Sequence, residues 1–317
     1  MIRESIHDET VRALGRGDAE YPALLRPSPS APATLHVRGR LVEGDALAVA
    51  VVGSRRATAY GLAVAETMAA DLAARGVTIV SGFARGVDSA AHRGALRVGG
   101  RTIAVLGSGV DVVYPPENRR LADEIAERGA LVSQFPSGTP PLPHNFPTRN
   151  GVIAGMSLAV VVVEAAERSG SLITARLAAE MGREVLAVPG RVTAPESRGA
   201  NRLIQDGAAL ALGWEDVVAA LPDRWKACID MAANIDPAAK ATPAGAAAVA
   251  WRGAAEGEPS GYTKILALLG EDPVDIDRVI ERSGLGAARV SAALLDLELN
   301  GRVRQIEGKR FVRVAPG

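Results

Sequence analysis

From Leu47 onward the chain repeats one pattern. Short apolar runs (AVAVVG, VTIVSG, TIAVLG, LVSQ, LAVVVVEA, EVLAVPG) alternate with helix-like segments. Those segments are YGLAVAETMAADLAARG, VDSAAHRGALRVG, ENRRLADEIAERG, a short one over 150–156, and LITARLAAEMG. Runs that are apolar at every position belong to strands buried on both faces. Amphipathic helices between them, several ending at glycine, cover those faces. The pattern predicts a doubly wound α/β domain with a mostly parallel sheet over 45–222. Ligands in such sheets bind outside the carboxyl ends of the strands. The loops starting at Gly53, Gly82, Gly107, Gln134, Glu164 and Pro189 therefore hold the candidate site.

The flanks read differently. Residues 1–44 form an N-terminal extension with an expected short helix over 6–14 and a strand near 35–37, decorating the main domain. Residues 223–259 include AAKATPAGAAAVAWRGAAEGEPSG, rich in Ala, Gly and Pro, which reads as a linker. Residues 260–317 suggest three short helices and a two-strand ribbon turning near Glu307-Gly308, a small winged-helix domain. Its recognition-like helix over 287–298 is weakly basic and ends acidic, so a protein contact competes with a DNA contact.

Lys and Arg total 36 and Asp and Glu total 36, for a net charge of +0. A globally basic nucleic-acid binder is excluded, and any phosphate contact must come from local arginine clusters. Aromatic residues are only 3% of the chain, so each one beside a glycine-rich turn is informative. Cys228 is the single cysteine, which excludes an internal disulfide and a cysteine zinc site and favours a reducing, cytoplasmic setting. The N-terminus lacks an apolar signal region, and the run over 158–163 is too short to span a bilayer. Neither cofactor nor membrane is expected.

Four loops carry the candidate chemistry. Gly53-Ser54-Arg55-Arg56 joins a strand to a helix, where free N–H groups and planar guanidiniums suit phosphate. It has neither G-x-G-x-x-G spacing nor a Walker lysine, which disfavours dinucleotides and ATP. In Ser81-Gly82-Phe83-Ala84-Arg85-Gly86, Arg85 could meet a phosphate and Phe83 could pack or stack. Asp88 is expected to cap its helix or orient an arginine, and His92 to be structural. Gly107-Ser108-Gly109 leaves room for a ligand near the strand end, and Asp111 and Glu117 read as turn and first-turn residues. The segment 146–190 places Phe146, Arg149 and Asn150 just before a helix, then Ser169-Gly170-Ser171 at the next strand end. Phe146 either stacks on a base or lies buried under the helix; the serine loop either binds phosphate or caps its helix. No convincing nucleophile, metal cluster or acid/base pair is visible, so binding without catalysis is expected.

GSRRATAYG, SGFARGVDSAAHRGAL, LGSGVDVVYPPEN, FPTRN-x-x-IAG-x-S, SGSLITARLAAEMGREVLAVPG and GANRLIQDGA together resemble the DNA-processing protein A (DprA, or Smf) family. The resemblance implies an extended Rossmann-like domain that binds single-stranded DNA without sequence preference and forms a homodimer. It also implies loading of the RecA recombinase during natural transformation, without turnover. Carried over by motif, Arg55, Arg56, Phe146, Asn150 and the Gly170-Ser171 loop would line the pocket. Two positions depart from the family pattern: Gly151 stands where arginine is common, and Pro143 where some members have lysine. Both remove positive charge. The short leader implies that the family's N-terminal helical domain is reduced or missing. A nucleotide-processing enzyme of the phosphoribohydrolase type is the alternative, although its P-G-G-x-G-T pattern is absent. A transcriptional regulator acting through the winged helix is a third reading.

Overall fold

The computed structural model describes residues 11–229 continuously. Toward the C-terminus it describes 265–266, 268–270, 274–283, 290, 293–294, 297–298, 303–306 and 310–313. The chain divides into two compact units, Met1–Ala248 and Val249–Gly317.

The first unit is built on a nine-stranded sheet in the order β1-β2-β6-β5-β4-β3-β7-β8-β9. The strands are β1 (Val11–Gly15), β2 (Thr34–Gly39), β3 (Ala48–Gly53), β4 (Thr78–Ser81), β5 (Thr102–Val105), β6 (Ala130–Ser133), β7 (Ala159–Val163), β8 (Glu184–Ala187) and β9 (Ala209–Leu210). Strands β3 to β9 pair in parallel, and β1 and β2 extend the sheet antiparallel beyond β6. The helices are α1 (Ala59–Ala74), α2 (Val87–Arg97), α3 (Arg119–Arg128), α4 (Asn145–Gly155), α5 (Gly170–Glu180), α6 (Arg198–Gln205), α7 (Trp214–Ala220) and α8 (Asp223–Lys226).

Period-two alternation sorts the strand side chains into two cores. Ala48, Ala50 and Val52 of β3 face Val152 and Ile153 of α4 and Ala175 and Ala178 of α5. Val49 and Val51 face Met68, Ala69 and Leu72 of α1 and Ala90 and Ala91 of α2. Every residue of β4, β5, β6 and β7 is buried, as their continuous apolar character requires. After β6 the chain returns through α4 to β7, which pairs with the far side of β3. The strand order reverses there, and the crevice between the β3 and β7 exits is the topological switch point.

Three features differ from the sequence expectation. Residues 11–14 of the expected leader helix lie in strand β1; 6–10 fall outside the described residues. Helix α4 starts at Asn145, five residues earlier than expected, so Phe146 occupies its first turn. Helices α6 and α7 and strand β9 complete the unit where no element was foreseen.

In the second unit β10 (Val274–Asp275), β11 (Val303–Ile306) and β12 (Arg310–Arg313) form an antiparallel sheet with β12 central. Ile306 pairs with Arg310 in the ribbon, and the expected turn near Glu307-Gly308 lies outside the described residues. Helix α9 (Ile276–Ser283) contributes Val279 to a core with Ile265, Leu269, Leu294, Val303 and Phe311. Most of the expected linker and much of the recognition-like helix over 287–298 lie outside the described residues.

Candidate nucleic-acid interface

At the switch point the β3 and β7 backbones run side by side up to the Gly53–Val163 pair, then diverge into α1 and α5. Glu164, immediately after β7, is buried and takes a left-handed φ of 48°. That backbone region is rarely tolerated outside glycine and marks a position held by its surroundings. The Glu164 carboxylate accepts the Thr58 N–H at 2.8 Å and the Thr58 hydroxyl proton. Gly61 makes room for it, since a Cβ there would collide with the carboxylate. The N-terminus of α1, which attracts anions, is thus closed by the protein's own acid.

Next to this plug lies a buried polar scaffold. The Arg149 guanidinium, only 3% exposed, donates to the Gly82 and Val105 carbonyls at the exits of β4 and β5. Burial lowers its pKa to about 10, partly offset by Asp88, so it stays cationic at neutral pH. Asp88 in the first turn of α2 accepts the Ala84 N–H at 3.1 Å. Burial raises the Asp88 pKa against the pull of Arg149. Gly82 must lack a side chain here, because a Cβ would sit 2.6 Å from both Arg149 Nη1 and an Asp88 carboxylate oxygen. Asn150 donates from Nδ2 to the Gly170 carbonyl at 3.1 Å and ties α4 to the start of α5.

Above the scaffold is an exposed rim. Phe146 is half-buried and rests on Gly107, where a Cβ would lie 2.9 Å from its ring. The Arg55 guanidinium stacks over the other side of the site, 5.0 Å from the Phe146 centroid. Tyr114 stands beside Phe146, with ring centroids 6.1 Å apart and planes at 50°. Arg56 is exposed, and its N–H bonds the Ser54 hydroxyl at 3.1 Å, which shapes the loop. Neither Arg55 nor Arg56 has a carboxylate within ion-pair distance among the described residues. Arg85 is exposed and paired with Glu117 at 2.5 Å.

Several expected site residues serve the scaffold instead of the rim. Phe83, 1% exposed with φ 61°, packs among Leu106, Val110, Leu121 and Ile125, so its ring is not available to a base. Arg149 is buried and its Nη1 serves the two carbonyls, which gives it a scaffold role, while its Nε has no hydrogen-bond partner among the described residues. Ser108 is buried and donates to the Val112 carbonyl at 2.7 Å. Ser171 is also buried, with its hydroxyl against that of Ser169, which caps α5 by accepting the Ser171 N–H. Gly170 remains exposed with open space around it. Gly53 and Ser54 are partly exposed beside Arg55. Asp88 and His92 take the structural roles expected: the buried His92 bonds Thr102 Oγ1 through Nδ1 at 2.7 Å. Gly151 has a packing reason, since a Cβ there would lie 2.6 Å from the Ser30 Cβ of the N-terminal extension. Pro143 is exposed.

Sequence reasoning did not find the Glu164 plug or Tyr114 as part of the rim. Glu164 has no local signature, because its partner Thr58 lies 106 residues away. Tyr114 stood in plain view as one of few aromatics beside a glycine-rich loop. Among the described residues no group of three or more His, Cys, Asp or Glu is placed to hold a metal ion, and no helix is long and apolar enough to cross a membrane.

Residues 12–222 match the family described as DNA recombination-mediator protein A, and residues 249–309 match the DprA winged helix domain. Protein Smf of Escherichia coli is 40% identical over 293 residues, covering 91% of this chain and 74% of the relative. The crystal structure of DNA processing protein A from Streptococcus pneumoniae superposes with a TM-score of 0.64 at 42% identity, covering 68% of this chain and 75% of that one. DNA processing protein A of Helicobacter pylori, described for its single-stranded DNA binding mode, gives 0.58 at 30% identity, covering 65% and 93%. With a mostly parallel α/β sheet, a C-terminal winged helix and this agreement over most of its length, the chain belongs to the DNA recombination-mediator protein A (DprA/Smf) family.

Proposed function

We propose that the chain is a sequence-nonspecific single-stranded DNA-binding recombination mediator that loads RecA onto incoming DNA in natural transformation. It acts by binding, without turnover, as a cytoplasmic homodimer. The observation that carries the reading is the unpaired Arg55 guanidinium 5.0 Å from the half-exposed Phe146 ring at the switch point. A ring face accepts any base, and adjacent cations follow the phosphates, so such a surface holds a strand regardless of sequence. The site residues proposed to touch DNA are Arg55, Arg56 and Phe146, with Gly53, Ser54 and Gly170 lining the path; Asn150, Gly107 and Arg149 hold it in shape. The closure of α1 by Glu164 argues against a free nucleotide monophosphate seated at that helix, as the phosphoribohydrolase alternative would require. For the homodimer, β9, an edge strand among the described residues, offers its outer backbone groups beside the exposed Leu210 and Leu212.

Filter binding of oligo-dT across a salt series tests the DNA reading. Arg55→Ala combined with Phe146→Ala is expected to weaken binding by more than about tenfold, from one lost stack and one lost phosphate contact. Unchanged affinity sinks the site assignment. RecA strand exchange in the presence of a single-strand coating protein tests the loading step, and no stimulation by the wild type refutes it. Sedimentation of Leu212→Asp tests the edge, where a persisting dimer rules out β9.

A further inference from the structure

The rim continues past Phe146 in a direction the Arg55–Phe146 contact does not use. Tyr114 is 40% exposed although it is a large aromatic, and its ring lies 6.1 Å from Phe146. Its loop is fixed from both sides: the Ser108 hydroxyl donates to the Val112 carbonyl, and Asn118 donates to Ser89 Oγ at 2.8 Å. The adjoining Pro115 is buried. Beyond Tyr114 comes Arg85, which interacts with the Tyr114 hydroxyl and pairs with Glu117 at 2.5 Å. Guanidinium, ring, ring and guanidinium therefore succeed one another across the exit of β3, the first turn of α4 and the exits of β5 and β4.

The Arg85–Glu117 pair is exposed on both sides, 54% and 52%. An exposed pair of this kind contributes little to stability. A phosphate is chemically equivalent to the carboxylate as a partner for the guanidinium fork, and can replace it at small cost. We infer that Tyr114 and Arg85 form a second nucleotide subsite, in which Tyr114 stacks on the base next to the one on Phe146 and Arg85 exchanges Glu117 for the intervening phosphate. This rests on the reading that single-stranded DNA crosses the rim at Phe146.

The exchange has a measurable signature. A free arginine that meets a strand phosphate releases a condensed cation and adds about 0.7 to the salt slope of log affinity. In the wild type Arg85 makes that contact only by leaving Glu117, so part of its gain offsets the broken pair. Glu117→Gln removes that cost and is expected to tighten binding at low salt. Tyr114→Ala is expected to weaken oligo-dT binding about tenfold, within the range for one base–aromatic stack, and Tyr114→Phe to retain the wild-type affinity. Fluorescence anisotropy on the full chain across a salt series reads all three. If Tyr114→Ala binds as the wild type while Phe146→Ala is weakened, the second subsite is wrong and the first stands. A Tyr114→Phe chain as weak as Tyr114→Ala overturns stacking, and an unchanged low-salt affinity in Glu117→Gln overturns the exchange. If Phe146→Ala is also without effect, the placement of the strand at Phe146 falls with it.

Discussion

Replacing Arg149 with methionine separates a scaffold role from a phosphate-binding one. The substitution keeps a long buried side chain but removes the charge beside Asp88 and the donors to the Gly82 and Val105 carbonyls. Arg149 and Asp88 interact through their charges without a direct hydrogen bond, so the cost of about 3–5 kcal/mol for breaking a buried ion pair is an upper range. Asp88 retains the Ala84 N–H at 3.1 Å, so a loss near the lower end, about 3 kcal/mol, is expected. In a domain of this size that lowers the calorimetric Tm by about 6–12 °C. The pH dependence has a definite sign. Burial already raises the Asp88 pKa, and loss of Arg149 raises it further. The folded variant then binds more protons than the unfolded chain, so its stability falls as pH rises and partly recovers on acidification. Oligo-dT binding by the folded variant should keep the wild-type salt slope, whereas Arg55→Ala should lower it by about 0.7. A variant with Tm within about 2 °C of wild type but a reduced salt slope would make Arg149 a phosphate ligand and refute the reasoning.

Gly151→Arg restores the charge common in the family but forces a side chain into Ser30. It should destabilise by about 1–3 kcal/mol in urea, and adding Ser30→Gly should recover most of that; an unaffected single variant would show that Ser30 is not the constraint. Glu164→Ala removes the acceptor at the start of α1 and should cost about 1–2 kcal/mol, with faster hydrogen exchange at Thr58 as the local readout. Unchanged exchange there would discount the plug. His92, buried, has its pKa lowered to about 3 from 6.5. The unfolded chain binds that proton first, so stability is full above pH 6.5 and lost on acidification by up to about 1.4 kcal/mol per pH unit. His92→Gln should flatten that limb of an acid titration, and an identical limb would rule His92 out.

The sheet was legible because its central strands are apolar on both faces, a pattern that only burial between two helical layers satisfies. Strand β1 was not, because at the sheet edge only Leu14 of its five residues is buried. The early start of α4 was hidden by Pro147, which reads as a helix breaker yet is tolerated in a first turn, where N–H groups have no intrahelical acceptor. Within the site, residue types were legible and their depth was not. Arginine before asparagine reads the same whether its fork meets phosphates or, as with Arg149, two strand-end carbonyls. That distinction depends on Gly82 and Val105, 67 and 44 residues away. Phe83 was ambiguous for the same reason, since a glycine-flanked aromatic can face either side of its loop.

Depth also explains how a chain of zero net charge can offer a phosphate path. Among the described residues, at least seven arginines other than Arg85 form ion pairs, including Arg38 with Asp123, Arg97 with Glu66 and Arg101 with Asp45. At physiological ionic strength such pairs are nearly silent beyond a Debye length of about 8 Å. The local field at the switch point is therefore set by what is left unmatched nearby. Asp88 and Glu164 are both buried there, one against Arg149 and the other against the start of α1. With the acids turned inward, Arg55 and Arg56 face solvent with no carboxylate at ion-pair distance among the described residues, and the same loop carries both positive groups beside the half-exposed ring of α4. Of the rim residues described, Glu117 alone presents a carboxylate outward, and it is held by an arginine that a phosphate can claim. Local arrangement of charge, not its total, makes this edge of the sheet suited to a polyanion.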